Sequence, residues 1–386
     1  MTLTQFAALN LRRNPLRTLL TVTGVAVAVV AFLMLRTVVW AYNVAAEAAV
    51  PDRMVTRHKV TFIMPLPKRY IDEVRATPGV KDATWASWWG GREPNHPTDF
   101  FATLAVDPDT YFRVTDEMVV DPADLQAWKE DRQGAIVGDM LAKKFGWKKG
   151  DTVRLESQFF DGLYEFHVTG FYTATRKTVD RQTFIFHWAY LNEKVPADAR
   201  ETIGWIVSRT DGNPTEIGRK VDAMFDVKDV QTISQDEATF NRSFLAGFSA
   251  ILAAINVVSI VILLIMMMIL GNTVAMGVRE RTAEYGVLRA IGFLPRHVVT
   301  LVLSEAATLG LAGGALGLAL AYPIVELGIG RFVEENLAGF FPYFRISEGN
   351  ALAGFVLALC LAGVAAIIPA VQAGRLKVIE ALRRIA

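Results

Sequence analysis

The chain has 386 residues, of which 52% are hydrophobic, and its formal net charge is +1. This length would allow two or three soluble domains, but the apolar residues are concentrated in four runs, which excludes a wholly soluble protein. The chain has one cysteine, Cys360. An intrachain disulfide is therefore excluded, and any domain outside a membrane must be held together by its own core.

The four apolar runs are each close to the length that crosses a bilayer. They cover residues 18–35, 244–270, 297–325 and 349–374, and only the third contains a charged side chain, that of Glu305. A helix of about 20 apolar residues spans the hydrocarbon core and satisfies its own backbone hydrogen bonds in lipid. The first run could instead be a signal peptide, but the apolar core of a signal is shorter, about 7–15 residues, which favours an uncleaved anchor.

Basic residues near the ends of the runs predict the orientation of the chain. Arg12, Arg13 and Arg17 precede the first run, and four more arginines lie between residues 279 and 296. Because Lys and Arg are enriched on the cytoplasmic side, we expect both termini and the second arginine-rich loop in the cytoplasm. The predicted organisation is a cytoplasmic amphipathic helix at 1–17, spans at 18–42, 243–272, 298–326 and 349–373, an outer domain at 43–242, a cytoplasmic loop at 273–297, a short outer loop at 327–348 and a cytoplasmic tail at 374–386.

The outer domain is predicted to have an α/β fold with two lobes. Its two strand–helix–strand units have predicted strands at 60–66, 80–88, 205–208 and 230–233 and predicted helices at 67–77 and 214–225. Two such units separated by an insertion are typical of a ferredoxin-like lobe, and the insertion, at about 116–200, is mostly β in its pattern. The fold class is therefore a membrane protein with four transmembrane α-helices and a large α/β extracytoplasmic domain.

Trp85, Trp88 and Trp89 form an aromatic cluster in the outer domain. These side chains could bind an apolar substrate, or they could pack at an interface between the lobes. We favour packing, because large aromatic side chains more often contribute to a core than to a binding site.

The sequence shows no catalytic centre. Its five histidines are scattered and lack the His-x-x-x-His spacing of zinc proteases, and no Gly-x4-Gly-Lys-Ser/Thr loop is present to hold ATP phosphates. A Gly-x-Ser-x-Gly nucleophile turn is also missing. We therefore expect a protein that is not an enzyme and has no cofactor or metal of its own, so that its energy source is another chain.

Two ionisable side chains, Arg36 and Glu305, lie in or near predicted spans. Arg36 is near the outer end of the first span, where a long side chain can extend to the interface, and we favour this over a contact with substrate or partner. Glu305 could take part in transport or pair with Arg296 or Arg289. We favour the pairing.

Residues 279–291 are predicted to form a short amphipathic helix in the cytoplasmic loop, which ends at Gly292. Its apolar stripe at helical spacing consists of Ala283, Val287, Ala290, Ile291 and Leu294. The helix could lie flat on the membrane or in the groove of a partner protein. Anionic lipid would repel Glu280 and Glu284, which favours a protein partner.

This loop resembles the signature loop of the FtsX/MacB-type permeases, which carries an E-R-x-x-E-I-G-x-L-R-A-x-G core before the third span. The matching residues are Glu280, Arg281, Glu284, Gly286, Leu288, Arg289, Ala290 and Gly292. Tyr285 replaces the usual aliphatic residue. Residues 369–383, PAVQAGRLKVIEALR, are similar to the closing segment of the family, and residues 77–84 and 135–153 resemble pieces of its outer domain.

The resemblance implies the membrane-spanning subunit of a MacB-type (type VII) ABC transporter that lacks a fused ATPase domain. Such subunits work in pairs, either as homodimers or with a paralogue, and with two ATPase subunits that bind ATP and Mg²⁺. In that arrangement the signature loop is a coupling helix in a groove of the ATPase, and the C-terminal amphipathic segment lies beside it. The residues expected in this second contact are Arg375, Leu376, Glu380 and Leu382.

The function implied by the resemblance is mechanotransmission, in which closure of the ATPases in the cytoplasm moves the periplasmic domains. We expect export of a lipoprotein, lipid, peptide or drug from the outer face of the bacterial inner membrane. The alternative is an FtsX-like regulator of a periplasmic cell-wall hydrolase, but an outer domain as large as residues 43–242 favours export. If the transporter is part of a tripartite pump, a periplasmic adaptor is a further expected partner. The chain is also expected to contact membrane lipids, and no nucleic acid is expected as a partner.

Overall fold

The computed structural model of the protein describes residues 13–47, 49–97, 99–160, 162–246, 249–336, 341 and 343–376. These residues divide into two compact units. The helical unit contains the described residues up to Ala41, from Ser249 to Val333 and from Phe344 onward. The α/β unit contains the described residues between Tyr42 and Ala246 and between Glu334 and Tyr343.

The chain forms thirteen α-helices and thirteen strands within the described ranges. The helices are α1 (Pro15–Glu47), α2 (Tyr70–Arg75), α3 (Tyr111–Val114), α4 (Pro122–Glu130), α5 (Asp139–Phe145), α6 (Trp188–Lys194), α7 (Pro214–Phe225), α8 (Glu237–Ala246), α9 (Ser249–Glu280), α10 (Thr282–Ala290), α11 (Pro295–Tyr322), α12 (Gly330–Asn336) and α13 (Glu348–Gly374). The strands are β1 (Arg53–His58), β2 (Leu66–Pro67), β3 (Val80–Trp88), β4 (Gly91–Arg92), β5 (Ala102–Val106), β6 (Met118–Val120), β7 (Gly134–Gly138), β8 (Thr152–Ser157), β9 (Leu163–Ala174), β10 (Thr183–His187), β11 (Thr202–Ile203), β12 (Trp205–Thr210) and β13 (Thr232–Asp236).

Four helical segments, nearly all of whose residues belong to the helical unit, are long and apolar enough to cross a membrane, which confirms the four predicted spans. They are Pro15–Val44, Ser249–Glu280, Pro295–Glu334 and Glu348–Gly374. The third continues from α11 through a π-helical turn at Pro323–Ile329 into α12.

The short helix of the loop begins later than the sequence predicted. Helix α9 continues to Glu280 and α10 begins at Thr282, so a helix starting at Arg279 was wrong. Residues 271–278 contain two glycines but no proline, and isolated glycines weaken a helix without ending it. The charged residues 279 and 280 therefore extend the second long helix beyond its apolar part.

Glycines on two faces of α11 bring three of the long helices into backbone contact. A Cβ atom on Gly313 would lie 2.5 Å from Cγ1 of Val25 in α1. A Cβ atom on Gly317 would lie 2.7 Å from Cβ of Val29 in the same helix. A Cβ atom on Gly310 would lie 2.7 Å from Cβ of Ala362 in α13. Small residues allow such close approach between helices in lipid, so α1, α11 and α13 form one tightly packed group.

Gly317→Leu is expected to destabilise the helical unit by about 1–3 kcal/mol, the usual cost of overpacking. The added side chain would collide with Val29 and with the carbonyl oxygen of Ala26, which lies 3.0 Å from the site of the new Cβ. The measurement is the thermal unfolding midpoint of the chain in detergent. Gly363→Leu is the matched control, because no atom lies within 4 Å of a Cβ at that helical position; an equal loss in both variants would contradict the packing argument.

The α/β unit is built on one continuous sheet of eleven strands. The strand order is β13-β1-β12-β3-β5-β10-β7-β9-β8-β4, with β6 paired to β9. The pairs among β13, β1, β12 and β3 are antiparallel, and the pairs β5–β10 and β7–β9 are parallel. The two predicted lobes therefore share one sheet, which passes from the first lobe into the inserted strands through β5 and β10.

The first strand of this sheet lies before the predicted one. The sequence predicted a strand at 60–66, but β1 is Arg53–His58, and Val60 and Ile63 are 79% and 85% exposed. The prediction was wrong because it placed the strand at the stretch with the most apolar residues, whereas the strand that forms begins with a charged residue. Strand β1 carries a buried charge at Arg53 that is neutralised by residues distant in the sequence.

Two of the three clustered tryptophans belong to the core of the α/β unit. Trp89 is fully buried, and its ring lies edge-on to the rings of Tyr164, Phe166 and Phe186 at centroid distances of 4.9, 5.5 and 5.3 Å. Trp85 is also buried, whereas Trp88 is half exposed and stacks on Phe100. Trp85 and Trp89 therefore act as packing residues.

Candidate functional site

Helix α10, which carries most of the family-like loop residues, packs against the long helices of the helical unit. Tyr285 is 1% exposed and lies in an apolar cluster with residues of α9, α11 and α13, and Leu288 packs against this cluster. Gly286 is also buried. One face of α10 is thus turned toward the chain's own helices.

Two arginines at the start of α1 pair with two glutamates near α10. Arg17 binds Glu280 with both guanidinium ends, at 2.5 Å from Nη2 to Oε1 and 2.7 Å from Nη1 to Oε2. Arg13 donates to Glu284, with 2.6 Å between Nη1 and Oε1. These pairs connect the beginning of α1 to the end of α9 and the first turn of α10. The sequence had indicated only the orientation of the chain from these arginines.

Arg281, the residue between α9 and α10, connects this region to α11. Its Nη1 lies 3.1 Å from both carboxylate oxygens of Glu305, and its Nε lies 3.1 Å from Oε2 of Glu284. The favoured pairing of Glu305 with an arginine is therefore present, but the partner is Arg281 and not Arg296 or Arg289, the examples that the sequence offered. Residues 296 and 305 are nine positions apart on one helix, which is two and a half turns, so their side chains point to opposite faces.

Arg289 connects α10 to the last span. Its Nη1 donates to the carbonyl oxygen of Gly374, at 3.0 Å, where α13 ends. The last carbonyls of a helix lack intrahelical partners, and a cation is favourable near them. The set Arg13, Arg17, Glu280, Arg281, Glu284, Arg289 and Glu305 is called the polar junction below. Through it α10 is tied to all four long helices.

The electrostatics of the junction keep its loop residues charged. Burial opposes ionisation of Glu284, but hydrogen bonds from Arg281 and Arg13 hold the pKa of its carboxyl below the ordinary value. Burial also opposes the charge of Arg281, yet the neighbouring anionic groups raise its pKa. Burial raises the pKa of Tyr285 to about 12, so that this hydroxyl is neutral. A carboxylate with a lowered pKa stabilises the fold at neutral pH and loses that effect as the pH falls, so the Glu284 pairs persist at neutral pH.

A cavity of about 300 Å³ lies beside the junction. Arg13, Arg17, Glu280 and Glu305 line its polar side, and the apolar side includes Val274. Free space next to paired charges allows the arginines and carboxylates to shift relative to one another without a collision.

The other predicted site residues lie in three different places. Arg36 donates to Oδ1 of Asn256, at 3.1 Å, and so joins α1 to α9 away from the junction. Arg375 and Leu376 follow the end of α13, and Leu376 packs against the cluster around Tyr285. Glu380 and Leu382 lie outside the described residues, as does the predicted helix at 1–17 except for its last residues, from Arg13.

The opposite side of α10 and the turn that follows it are apolar and exposed. The side chains of Val287, Ile291, Phe293 and Leu294 are 45%, 68%, 38% and 46% exposed. We call these four residues the exposed apolar face. Ala290 and Gly292 lie among them and are also exposed, and Gly292 has φ +105°, a conformation that suits glycine at a helix end. Most family-like charged residues thus point inward, while the predicted apolar stripe, apart from the half-buried Ala283, points outward.

Two family models match the chain. The model of the MacB-like periplasmic core domain matches residues 18–235, and that of the FtsX-like permease C-terminal region matches residues 256–378. The second match contains α10 and every residue of the polar junction except Arg13 and Arg17.

Similar proteins include ABC transporter permeases. YvrN of Bacillus subtilis, an uncharacterised ABC transporter permease, is 28% identical over 165 residues, which are 42% of this chain and 36% of YvrN. The macrolide export ATP-binding/permease protein MacB of Shewanella oneidensis is 34% identical over 158 residues, 41% of this chain and 23% of that protein. The matched part thus spans about a third or less of these relatives.

Among solved structures, the periplasmic region of MacB from Actinobacillus actinomycetemcomitans aligns with a TM-score of 0.38 and 12% identity, over 50% of this chain and 92% of that one. The family models carry the assignment, because the MacB-like model alone covers more than half of the 386 residues. The chain therefore belongs to the FtsX/MacB-type family of ABC transporter permeases.

Proposed function

We propose that this chain is the membrane-spanning subunit of an ABC transporter in which separate ATPase subunits, with bound ATP and Mg²⁺, drive movement of the α/β unit. The helical unit lies in the bacterial inner membrane, α10 and both termini face the cytoplasm, and the α/β unit faces the periplasm. This movement of the α/β unit extrudes a lipoprotein, lipid, peptide or drug from the outer face of the membrane. Two copies, or this chain and a paralogue, act with two ATPases, and an adaptor joins if the transporter is part of a tripartite pump.

The observation that carries this proposal is the two-sided character of α10. Its outward side is the exposed apolar face, which suits the groove of a partner protein. Its inward side is held by ion pairs and hydrogen bonds to α1, α11 and α13. A partner that presses on the exposed apolar face therefore displaces a helix to which all four spans are attached.

This arrangement assigns different roles to the predicted coupling residues. Glu280, Arg281, Glu284 and Arg289 relay displacement to the spans, because their side chains contact the chain's own helices. The exposed apolar face, with Ala290 and Gly292, forms the docking surface. The tail residues Arg375, Leu376, Glu380 and Leu382 are proposed to flank it.

An FtsX-like regulator that moves a periplasmic hydrolase without transporting a substrate is the second candidate, since the C-terminal model that matches residues 256–378 is FtsX-like. Both candidates use the same junction. They differ in the partner of the α/β unit, so co-purification of a cell-wall hydrolase would favour regulation and export of a substrate by reconstituted vesicles would favour transport.

Site-directed labelling tests the proposal. In a Cys360→Ala background, Ile291→Cys is expected to react with a membrane-impermeant maleimide only in inverted vesicles and to form a cross-link with an ATPase subunit. Lys220→Cys, on the exposed surface of α7, is the matched control and is expected to react only from the outside of spheroplasts. Labelling of residue 291 from the outside, or the absence of a cross-link from that residue to an ATPase subunit, would contradict the proposal.

A further inference from the structure

A buried arginine lies in the α/β unit close to the point where the chain leaves the first span. Arg53 is the first residue of β1 and the sixth residue after Glu47, the end of α1. Its side chain is 5% exposed. The guanidinium binds Glu117 with both Nη atoms, and Nη1 lies 2.6 Å from Oε1 of that carboxylate. A buried charge is stable only when it is paired and hydrogen-bonded, and Arg53 meets this condition through residues from several segments.

The second carboxylate on Arg53 belongs to the segment that leads into the second span. Glu237 is the first residue of α8, twelve positions before Ser249, where α9 begins. Nη1 of Arg53 lies 3.0 Å from Oε1 of Glu237. The other oxygen, Oε2, accepts the backbone N–H of Val50 at 2.6 Å. One carboxylate thus holds the chain after α1 and the chain before α9 together.

The end of α3 and strand β12 complete this cluster. The carbonyl oxygen of Val114 accepts from Nη2 of Arg53 at 3.2 Å and from Nε of Arg209 at 2.9 Å. Arg209 in turn binds Asp52, with 2.7 Å between Nη1 and Oδ1. Arg53 therefore anchors both chain segments to the turn around Glu117, and Arg209 anchors the segment after α1 to the sheet.

The cluster resists separation of the two chain segments from the sheet. If either segment moved away alone, a charged group would lose a partner inside the protein, which is strongly unfavourable. Apolar contacts alone would allow the segments to slide, because they have no fixed direction. Hydrogen-bonded ion pairs, by contrast, fix both the distance and the orientation of the two segments relative to the sheet.

We propose that Arg53 and Glu237 are positioning residues that fasten the segments after α1 and before α9 to each other and to the α/β unit, so that displacement of the two spans reaches this unit as one motion. The inference rests on the proposed function, because it concerns how movement of the spans is passed on. It adds a specific connection in the α/β unit to the coupling that begins at α10.

The test uses the full complex of the chain with its co-purified ATPase in lipid nanodiscs. Spin labels at Lys220→Cys in the α/β unit and Gly349→Cys in the helical unit, in a Cys360→Ala background, report distances without and with ATP and vanadate. Glu237→Ala removes the connection but leaves the buried Arg53–Glu117 pair, so the unit is expected to fold. Glu156→Ala, which removes an exposed pair with Arg92 in the same unit, is the matched control.

We expect the Glu156→Ala chain to keep the ATP-dependent distance change and Glu237→Ala to lose at least about half of it, in line with typical coupling energies. ATP hydrolysis and resistance of the α/β unit to trypsin should stay unchanged in both variants, and Glu237→Gln, which keeps one acceptor oxygen, should restore part of the change. A full distance change in Glu237→Ala overturns the inference, as does loss of trypsin resistance together with the distance change, since that would indicate a merely structural role. If the unaltered chain shows no ATP-dependent change, the proposed function fails and the inference fails with it.

Discussion

Ile291→Asp is expected to weaken association with the ATPase more than tenfold and to abolish ATP-dependent transport. Residue 291 is the most exposed member of the exposed apolar face, and removal of a central apolar anchor costs an interface about 2 kcal/mol or more, where 1.4 kcal/mol is tenfold in affinity. A carboxylate adds the cost of leaving a charge without a partner in the contact. The measurement is the ATPase concentration needed for half-maximal binding to the chain in nanodiscs.

The matched control is Val227→Asp, which places the same charge on an 89% exposed valine of the α/β unit. It should leave ATPase binding unchanged. Unchanged binding in Ile291→Asp would show that the partner does not dock on the exposed apolar face and would leave α10 as a packing element alone. Leu288→Asp is a poorer test, because Leu288 packs against the cluster around Tyr285 and its loss would also disturb the fold.

Arg281→Met is expected to destabilise the helical unit by about 2–3 kcal/mol, somewhat less than the cost for a fully buried ion pair, because its removal leaves the part-buried Glu305 without its partner. Glu305 is 21% exposed and Arg281 14%, so water reaches neither side chain fully. The double variant Arg281→Met with Glu305→Leu should recover most of the stability, since apolar residues can replace a buried pair at little cost. Thermal unfolding in detergent measures both effects.

Arg13→Met is the matched control for that experiment. It breaks a pair in which Arg13 is 63% and Glu284 40% exposed, and exposed pairs contribute about 0–1 kcal/mol. The contrast between the two arginines follows from burial alone. Equal destabilisation by Arg281→Met and Arg13→Met, or no recovery in the double variant, would show that Arg281 does not hold Glu305 in the way described.

The spans and the stripe of α10 were predictable because they depend on local patterns. An uninterrupted apolar run specifies a transmembrane helix whatever surrounds it, and the outward direction of Val287 and Ile291 follows from their helical spacing. The partners of charged residues were not predictable in the same way. Arg281 and Glu305 are 24 positions apart in the sequence, and Arg17 and Glu280 are 263 apart, so only the folded arrangement of helices brings them together.

The start of the sheet illustrates the same limit in the α/β unit. An arginine at the start of a segment suggests an exposed position, so the strand was predicted at the more apolar residues 60–66 and not at Arg53–His58. Arg53 can be buried because Glu117 and Glu237, 64 and 184 positions away, surround it. The single sheet also depends on pairing between β5 and β10, which are separated by most of the inserted segment.

The glycines of α11 have a consequence for which helix can move. In the most apolar stretch of each span, the buried share is 39% in the spans of α1 and α11 and 28% in α13. In α9 it is only 11%. Helix α9 is joined to α1 by separate polar contacts, among them the hydroxyl pair Thr21–Thr273 at 2.9 Å and the Arg36–Asn256 bond. Sliding α1 along α11 would force valine side chains into glycine backbone. Tilting α9 would loosen the apolar contacts of Val274 and Val278 and exchange a few hydrogen bonds. Among the four long helices, the one that leads directly into α10 is therefore the least deeply packed within the described residues.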